Sequence, residues 1–284
     1  MTTNKPLNHC VEMKLSDDQL IGAARLAILE NPNNAPDKNG KSIEDINSYK
    51  MAVQVKKKWS NGRILRVRFL DGEPFVHEKV KEYANQWSRY ANIKFQFGND
   101  PNAEIRISFK HPEGGYWSYV GTDNLSIPKD EATMNFEGFN RNTKEEEFSR
   151  VVLHEFGHCI GVSHEQSNPA ANIPWDVPAV YRYYEKRGWS KQKVDQNVLS
   201  KLAPEGVAFT THDKLSIMQY PVDNELTLGD YEIGWNTTLS ETDKKFISQM
   251  YPIGSEDVLN SEIEDITIKA ASLNDTKNPI EEQR

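Results

Sequence analysis

Cysteine is almost missing from this chain: 284 residues contain only Cys10 and Cys159. A scaffold stapled by disulfides is therefore excluded, and a buried core must supply the stability instead. Long apolar runs are missing too, so no segment is expected to span a bilayer. Positive charge is in deficit, with 34 Lys and Arg against 42 Asp and Glu for a net charge of −8. That balance argues against nucleic acid or an anionic membrane surface as partner. Met1 to Cys10 has no apolar stretch of the kind a secretory signal needs. Together these absences predict a protein that is cytoplasmic, or exported by a route independent of a signal peptide; a monomer is expected.

What is present is concentrated. Three of the seven histidines fall in His154-Glu155-Phe156-Gly157-His158-Cys159-Ile160-Gly161-Val162-Ser163-His164-Glu165. His154 and His158 are four apart, so on a helix they project from one face and can grip one ion. Gly161 can adopt a positive φ that ends the helix and returns His164 to the same ion. Three imidazoles leave one zinc position open for water, the pattern of a catalytic site. One Zn2+ per chain is expected. Glu155 follows the first ligand and is placed to act on a zinc-activated water as general base. The expected reaction is hydrolysis of internal peptide bonds, with a protein or peptide as substrate. Upstream, Glu145 to Glu147 suit a first helical turn, and Phe148, Val151, Val152 and Leu153 form an apolar face.

The rest of the chain reads as α+β. Ser16 with Gln19 forms a capping box for a helix over 16–30, stopped by the Asn31–Pro36 run. A strand is predicted at 64–70 and a helix at 74–91. Strands follow at 93–97, 104–109 and 132–136, then the zinc helix. This order predicts a twisted mixed sheet backed by two helices. Beyond Gly161 the pattern is irregular, apart from a helical stretch near 178–186 and a last helix at 241–251. Three parts result: an N-terminal helical segment over 1–50, a catalytic region over 51–253 divided at about 164/165, and a tail over 254–284. The tail carries eight acidic against three basic residues. It reads as a solvated tail or, alternatively, as an export signal.

The extended zinc line resembles the metzincin metallopeptidases and, through Glu165, the astacin family. Ser216-Ile217-Met218-Gln219-Tyr220 resembles the family's Met-turn, and Trp117-Ser118-Tyr119-Val120-Gly121 a further astacin passage. The resemblance implies a zincin-like fold, with a five-stranded sheet and two long helices above the cleft. It implies an apolar floor from Met218 beneath the metal and a hydrogen bond from Tyr220 to the oxygen that gains charge. It also implies that substrate lies along an edge strand, for which 132–136 is the candidate, with Thr133, Met134 and Asn135 as contacts and Trp117 and Tyr119 as cleft wall. The first fifty residues become a candidate pro-segment. Within it, Asp45 of Ile43-Glu44-Asp45-Ile46 weakly resembles an inhibitory aspartate, and Lys56-Lys57-Lys58 offers a cleavage site. Cys10 is a candidate thiolate switch on zinc, against the plainer reading of an unremarkable lone cysteine. The family's two disulfides cannot form here, since Tyr116 stands where one of their cysteines would be.

Overall fold

The computed structural model describes residues 10–36, 56–202 and 210–254. The Asp45 element, residues 51–55 and the tail beyond Gly254 lie outside them.

A mixed sheet of six strands organises the upper half. Its strands are β1 (Cys10–Met13), β2 (Ile64–Phe69), β3 (Lys94–Phe97), β4 (Ile105–Ser108), β5 (Tyr116–Tyr119) and β6 (Met134–Phe136), in the order β1-β5-β6-β4-β2-β3. Only β5 and β6 pair antiparallel; every other neighbour is parallel. Four of these strands, β2, β3, β4 and β6, fall where strands were expected. Strand β1 comes from the N-terminal segment and lies in register against β5, with Cys10 opposite Tyr116 and Met13 opposite Tyr119. Neither β1 nor β5 was expected as a strand; Cys10-Val11-Glu12-Met13 does not alternate apolar with polar and is set by its pairing with β5.

This order corrects the expected substrate edge. Strand β6 lies between β5 and β4, and its backbone groups are spent on both neighbours. Met134 and Asn135 belong to this strand and, like Thr133 just before it, are buried. The edge over the cleft is β5, whose outer side is covered by β1.

Two helices back the sheet. Helix α2 (Pro74–Ala84) buries Val76, Val80, Tyr83 and Ala84. It stops short of the expected 91, and a separate 3-10 turn at Trp87–Arg89 follows. There Trp87 turns inward and its Nε1–H donates to the Leu153 carbonyl at 2.9 Å. Helix α3 (Glu145–Cys159) carries the zinc line, with three glutamates in its first turn and everything from Val151 to Cys159 buried. Negative charge at a helix N-terminus and burial along its length favour the same structure. The lower half is mostly irregular, with α4 (Val177–Glu185), α5 (Lys191–Val194) running into a π-helical turn at Asp195–Leu199, and α6 (Glu241–Met250).

Helix α1 (Asp17–Glu30) begins after Ser16, whose N–H and hydroxyl both donate to the Gln19 side chain. Polar side chains then stitch its end to the start of the catalytic region. Asn34 accepts from the Lys58 N–H at 3.0 Å and donates to the Lys58 carbonyl at 2.7 Å, while Asn31 donates to the Trp59 carbonyl at 2.9 Å. Lys57 pairs with Asp123, so the basic run is fixed in place rather than merely solvated. No helix among the described residues is long and apolar enough to cross a membrane.

Candidate zinc centre

The local sequence explains how three histidines converge. Helix α3 ends in a six-residue lock: the Gly161 N–H donates to the His158 carbonyl at 2.8 Å and the Val162 N–H to the Gly157 carbonyl at 2.9 Å. Gly161 sits at φ 98°, the left-handed conformation such a lock requires and a Cβ resists. The chain therefore reverses within two residues and brings His164 back beneath the helix. His158 Nε2 and His164 Nε2 lie 3.0 Å apart.

Second contacts decide which ring nitrogens face the centre. His154 Nδ1 bonds the Ile217 carbonyl at 2.7 Å, and His158 Nδ1 bonds the Val162 carbonyl at 2.8 Å. A carbonyl only accepts, so each Nδ1 carries the proton and each Nε2 keeps its lone pair for a metal. The donor set fits zinc on that chemistry, and it includes a fourth member. Cys10 Sγ and one ring nitrogen from each of His154, His158 and His164 all lie within 4.8 Å of one another, and all four residues are buried. Ligand atoms around tetrahedral zinc stand roughly 3–4 Å apart, so a modest contraction would close this set on one ion.

Glu155 stands beside the same point. Cys10 Sγ–H donates to Glu155 Oε2 at 3.0 Å, and Oε1 has no partner among the described residues. Burial pushes the Glu155 carboxyl up to about 8, and burial with the Glu155 charge raises the Cys10 thiol well above its ordinary range. A dication held by the imidazoles and the sulfur would reverse both preferences. Tyr220, on the opposite wall, donates its hydroxyl to the backbone carbonyl of Cys10.

The Met-turn explains a second glycine. A Cβ on Gly157 would lie 2.4 Å from Met218 Sδ and 3.2 Å from Trp87 Cζ2. Met218 therefore reaches the underside of the helix only because residue 157 has no side chain. The turn itself hangs from α6: Asp243 accepts from Ser216 Oγ at 2.7 Å and from the Ile217 N–H at 2.8 Å. Glu165 holds the other side of the lower half, accepting from the Asp213 N–H and from Asn168 Nδ2, each at 2.9 Å. Gln219 stands off the centre and bonds His212 at 2.8 Å.

The expected residues thus separate into groups. His154, Glu155, His158, His164, Met218 and Tyr220 come together with Cys10, whereas Gly161 and Glu165 shape the chain around them. Trp117 and Tyr119 lie on β5 with their rings 6.2 Å apart, and Trp117 is buried. Two polar residues of the lower rim, Gln166 and Asn197, were not expected. Both are buried against the site, and no periodic signal marks an isolated amide in irregular chain.

Known proteins fit this picture. A family model described as Matrixin matches residues 72–202. Two solved structures of myroilysin align with the chain. One does so at 44% identity and a TM-score of 0.67 over 70% of this chain and 97% of that one; the other at 43% identity and 0.55 over 69% and 86%. A hatching enzyme zinc-protease of the medaka fish Oryzias latipes aligns at 18% identity and a TM-score of 0.49, over 70% of this chain and 94% of that one. A search of curated protein sequences finds no match.

Proposed function

This chain belongs to the metzincin zinc metallopeptidases, and within that family we propose that it is an astacin-like endopeptidase made in a form that blocks its own active site. Cys10 carries the reading. It is 145 residues from Glu155 in sequence, yet its sulfur joins the three imidazoles as a fourth potential ligand, all four ligand atoms lying within 4.8 Å of one another. The matching family model is a matrixin one. Glu165 after the third histidine and the Trp117–Gly121 passage support the astacin-like reading instead.

Bound by His154, His158 and His164, zinc would supply an acidified water and a polarised carbonyl. Glu155 takes the water's proton and passes it to the leaving amine. Tyr220 donates to the carbonyl oxygen as its charge grows, a contact that serves mainly the transition state. The N-terminal segment occupies each of these positions at once. The Cys10 thiol fills the place of the water and holds Glu155, its carbonyl takes the Tyr220 hydroxyl, and β1 covers the edge of β5. A thiolate is a strong zinc ligand, so the block gains affinity when the metal is present.

The test compares full-length wild type with Cys10→Ala on casein, with and without a zinc chelator. Wild type should show a lag before hydrolysis, Cys10→Ala should shorten or abolish it, and the chelator should stop both. Equal lags would remove Cys10 from the mechanism of latency.

A further inference from the structure

The blocking strand is held on two sides, and only one of them is the sheet. On its far side the Glu12 N–H donates to Asn197 Oδ1 at 3.2 Å. Asn197 is 3% exposed and sits in the π-helical turn Asp195–Leu199, a rare geometry often found at functional sites. Its own Nδ2 donates to the Lys193 carbonyl at 2.9 Å, which fixes the side chain so that Oδ1, the acceptor, faces the cleft. Gln166 then ties this turn to the catalytic wall: Nε2 donates to the Asn197 carbonyl at 3.0 Å, and Oε1 accepts the Tyr220 N–H at 3.2 Å. The acceptor is therefore held at a set distance from Tyr220.

We propose that Asn197 is the lower-rim anchor of the substrate cleft, accepting a backbone N–H of the peptide on the side facing away from β5. The inference rests on the peptidase reading above. Asn197 holds the blocking strand through main chain alone, and a main-chain contact does not depend on which strand supplies it. In a strand, alternate N–H groups point to opposite edges, so a peptide paired with β5 always offers some to the lower rim. Glu12 lies opposite Ser118, two positions along from the Cys10–Tyr116 pair. A substrate running antiparallel to β5 has its N-terminal part at this end. The anchored group then lies about two residues before the cleaved bond, and a peptide too short to reach it gains nothing from Asn197.

Two variants separate anchoring from support of the turn. Asn197→Ala removes both hydrogen bonds, while Asn197→Asp keeps the acceptor and loses the donor to Lys193. Two peptides are used with enzyme brought to constant activity, one extending four residues before the cleaved bond and one extending a single residue. Asn197→Ala should raise KM for the long peptide about 5-fold with kcat nearly unchanged, as the loss of one backbone-type hydrogen bond implies. It should leave kcat/KM for the short peptide within about twofold, and Asn197→Asp should restore the long-peptide KM. In the latent full-length chain, Asn197→Ala should also let an aromatic disulfide reagent reach the Cys10 thiol several-fold faster, with Asn197→Asp near wild type. Equal losses on both peptides, or an Asp variant as poor as Ala, would assign Asn197 to the fold alone. If wild type cleaves neither peptide, the peptidase reading fails instead, and the thiol rates still judge the anchor.

Discussion

The two halves of the cleft reach the same precision by different physics. Above it, helix α3 is set by apolar packing. Phe148, Val152, Leu153 and Phe156 are fully buried, and the Phe156 ring meets Phe95 edge-on at 4.9 Å. Below it, the chain has little regular structure, and buried or half-buried polar side chains hold it by its main chain. Asp243 takes the Ile217 N–H, Glu165 the Asp213 N–H, Gln166 the Tyr220 N–H, and Asn236 the Ser216 carbonyl. Apolar packing is non-directional and tolerates small shifts. A backbone clamp is directional, and losing one strands a buried polar group. The difference predicts that damage above the cleft reads mainly as lost stability, and damage below it as lost geometry.

The largest effect that tests this division should come from the upper half. Phe156→Ala empties a packed site between α3 and the sheet and should cost about 3–5 kcal/mol of stability. Because neighbouring ligands sit on the same helix, the folded fraction should still bind zinc, and its kcat should stay within about tenfold of wild type. Chemical denaturation with zinc titration of the soluble fraction checks both. A stable Phe156→Ala that cannot bind zinc would mean that packing sets the ligand geometry directly.

Asp243→Ala is the lower-half counterpart. It strips the acceptor from Ser216 and from the Ile217 N–H, and should cost about 2–3 kcal/mol. Activity should fall further than stability suggests, because the Ile217 carbonyl orients His154 and the same turn carries Met218 and Tyr220. Zinc affinity should weaken by about 10–100-fold, the usual range for contacts that orient a ligand. Activity and zinc affinity near wild type in a destabilised Asp243→Ala would erase the contrast between the halves.

The same contrast governs what the sequence discloses. The ligand spacing, the apolar face of α3 and the Ser16–Gln19 capping box of α1 are legible because helical periodicity and capping leave fixed intervals. The resemblance around Met218 and Tyr220 supplied the turn that no interval predicts. The helix expected over 74–91 ran too long, since Trp87 remains in helical phase although the chain turns at Asn85. Strand β1 was invisible for another reason. Its four residues carry no pattern of their own and become a strand only because β5 offers an unpaired edge. Asp45 and Cys10 were both candidates for latency, and only Cys10 falls within the described residues. Asn197 had no signal at all, since the π-turn that aims it comes from tertiary packing.

Gly157 is where the two halves touch, and it gives the smallest and sharpest test. On helix propensity alone, Gly157→Ala should stabilise α3 by up to about 1 kcal/mol. The structure predicts the opposite sign. The new methyl group would lie 2.4 Å from Met218 Sδ, with Trp87 at 3.2 Å closing the other side, so either the Met-turn is pushed down or α3 is lifted. Overpacking of this kind costs about 1–3 kcal/mol, more than the propensity gain. If the lower half is held by directional clamps, it should resist, and the strain should appear as lost stability with Tyr220 still in place. If the clamps yield, Tyr220 moves from the cleft, kcat falls, and stability is nearly preserved. Thermal unfolding and kcat of Gly157→Ala, each compared with the double variant Gly157→Ala/Met218→Leu, distinguish the two. Leucine lacks the reach of methionine at that point. It should recover most of the lost stability under rigid clamps and little under yielding ones.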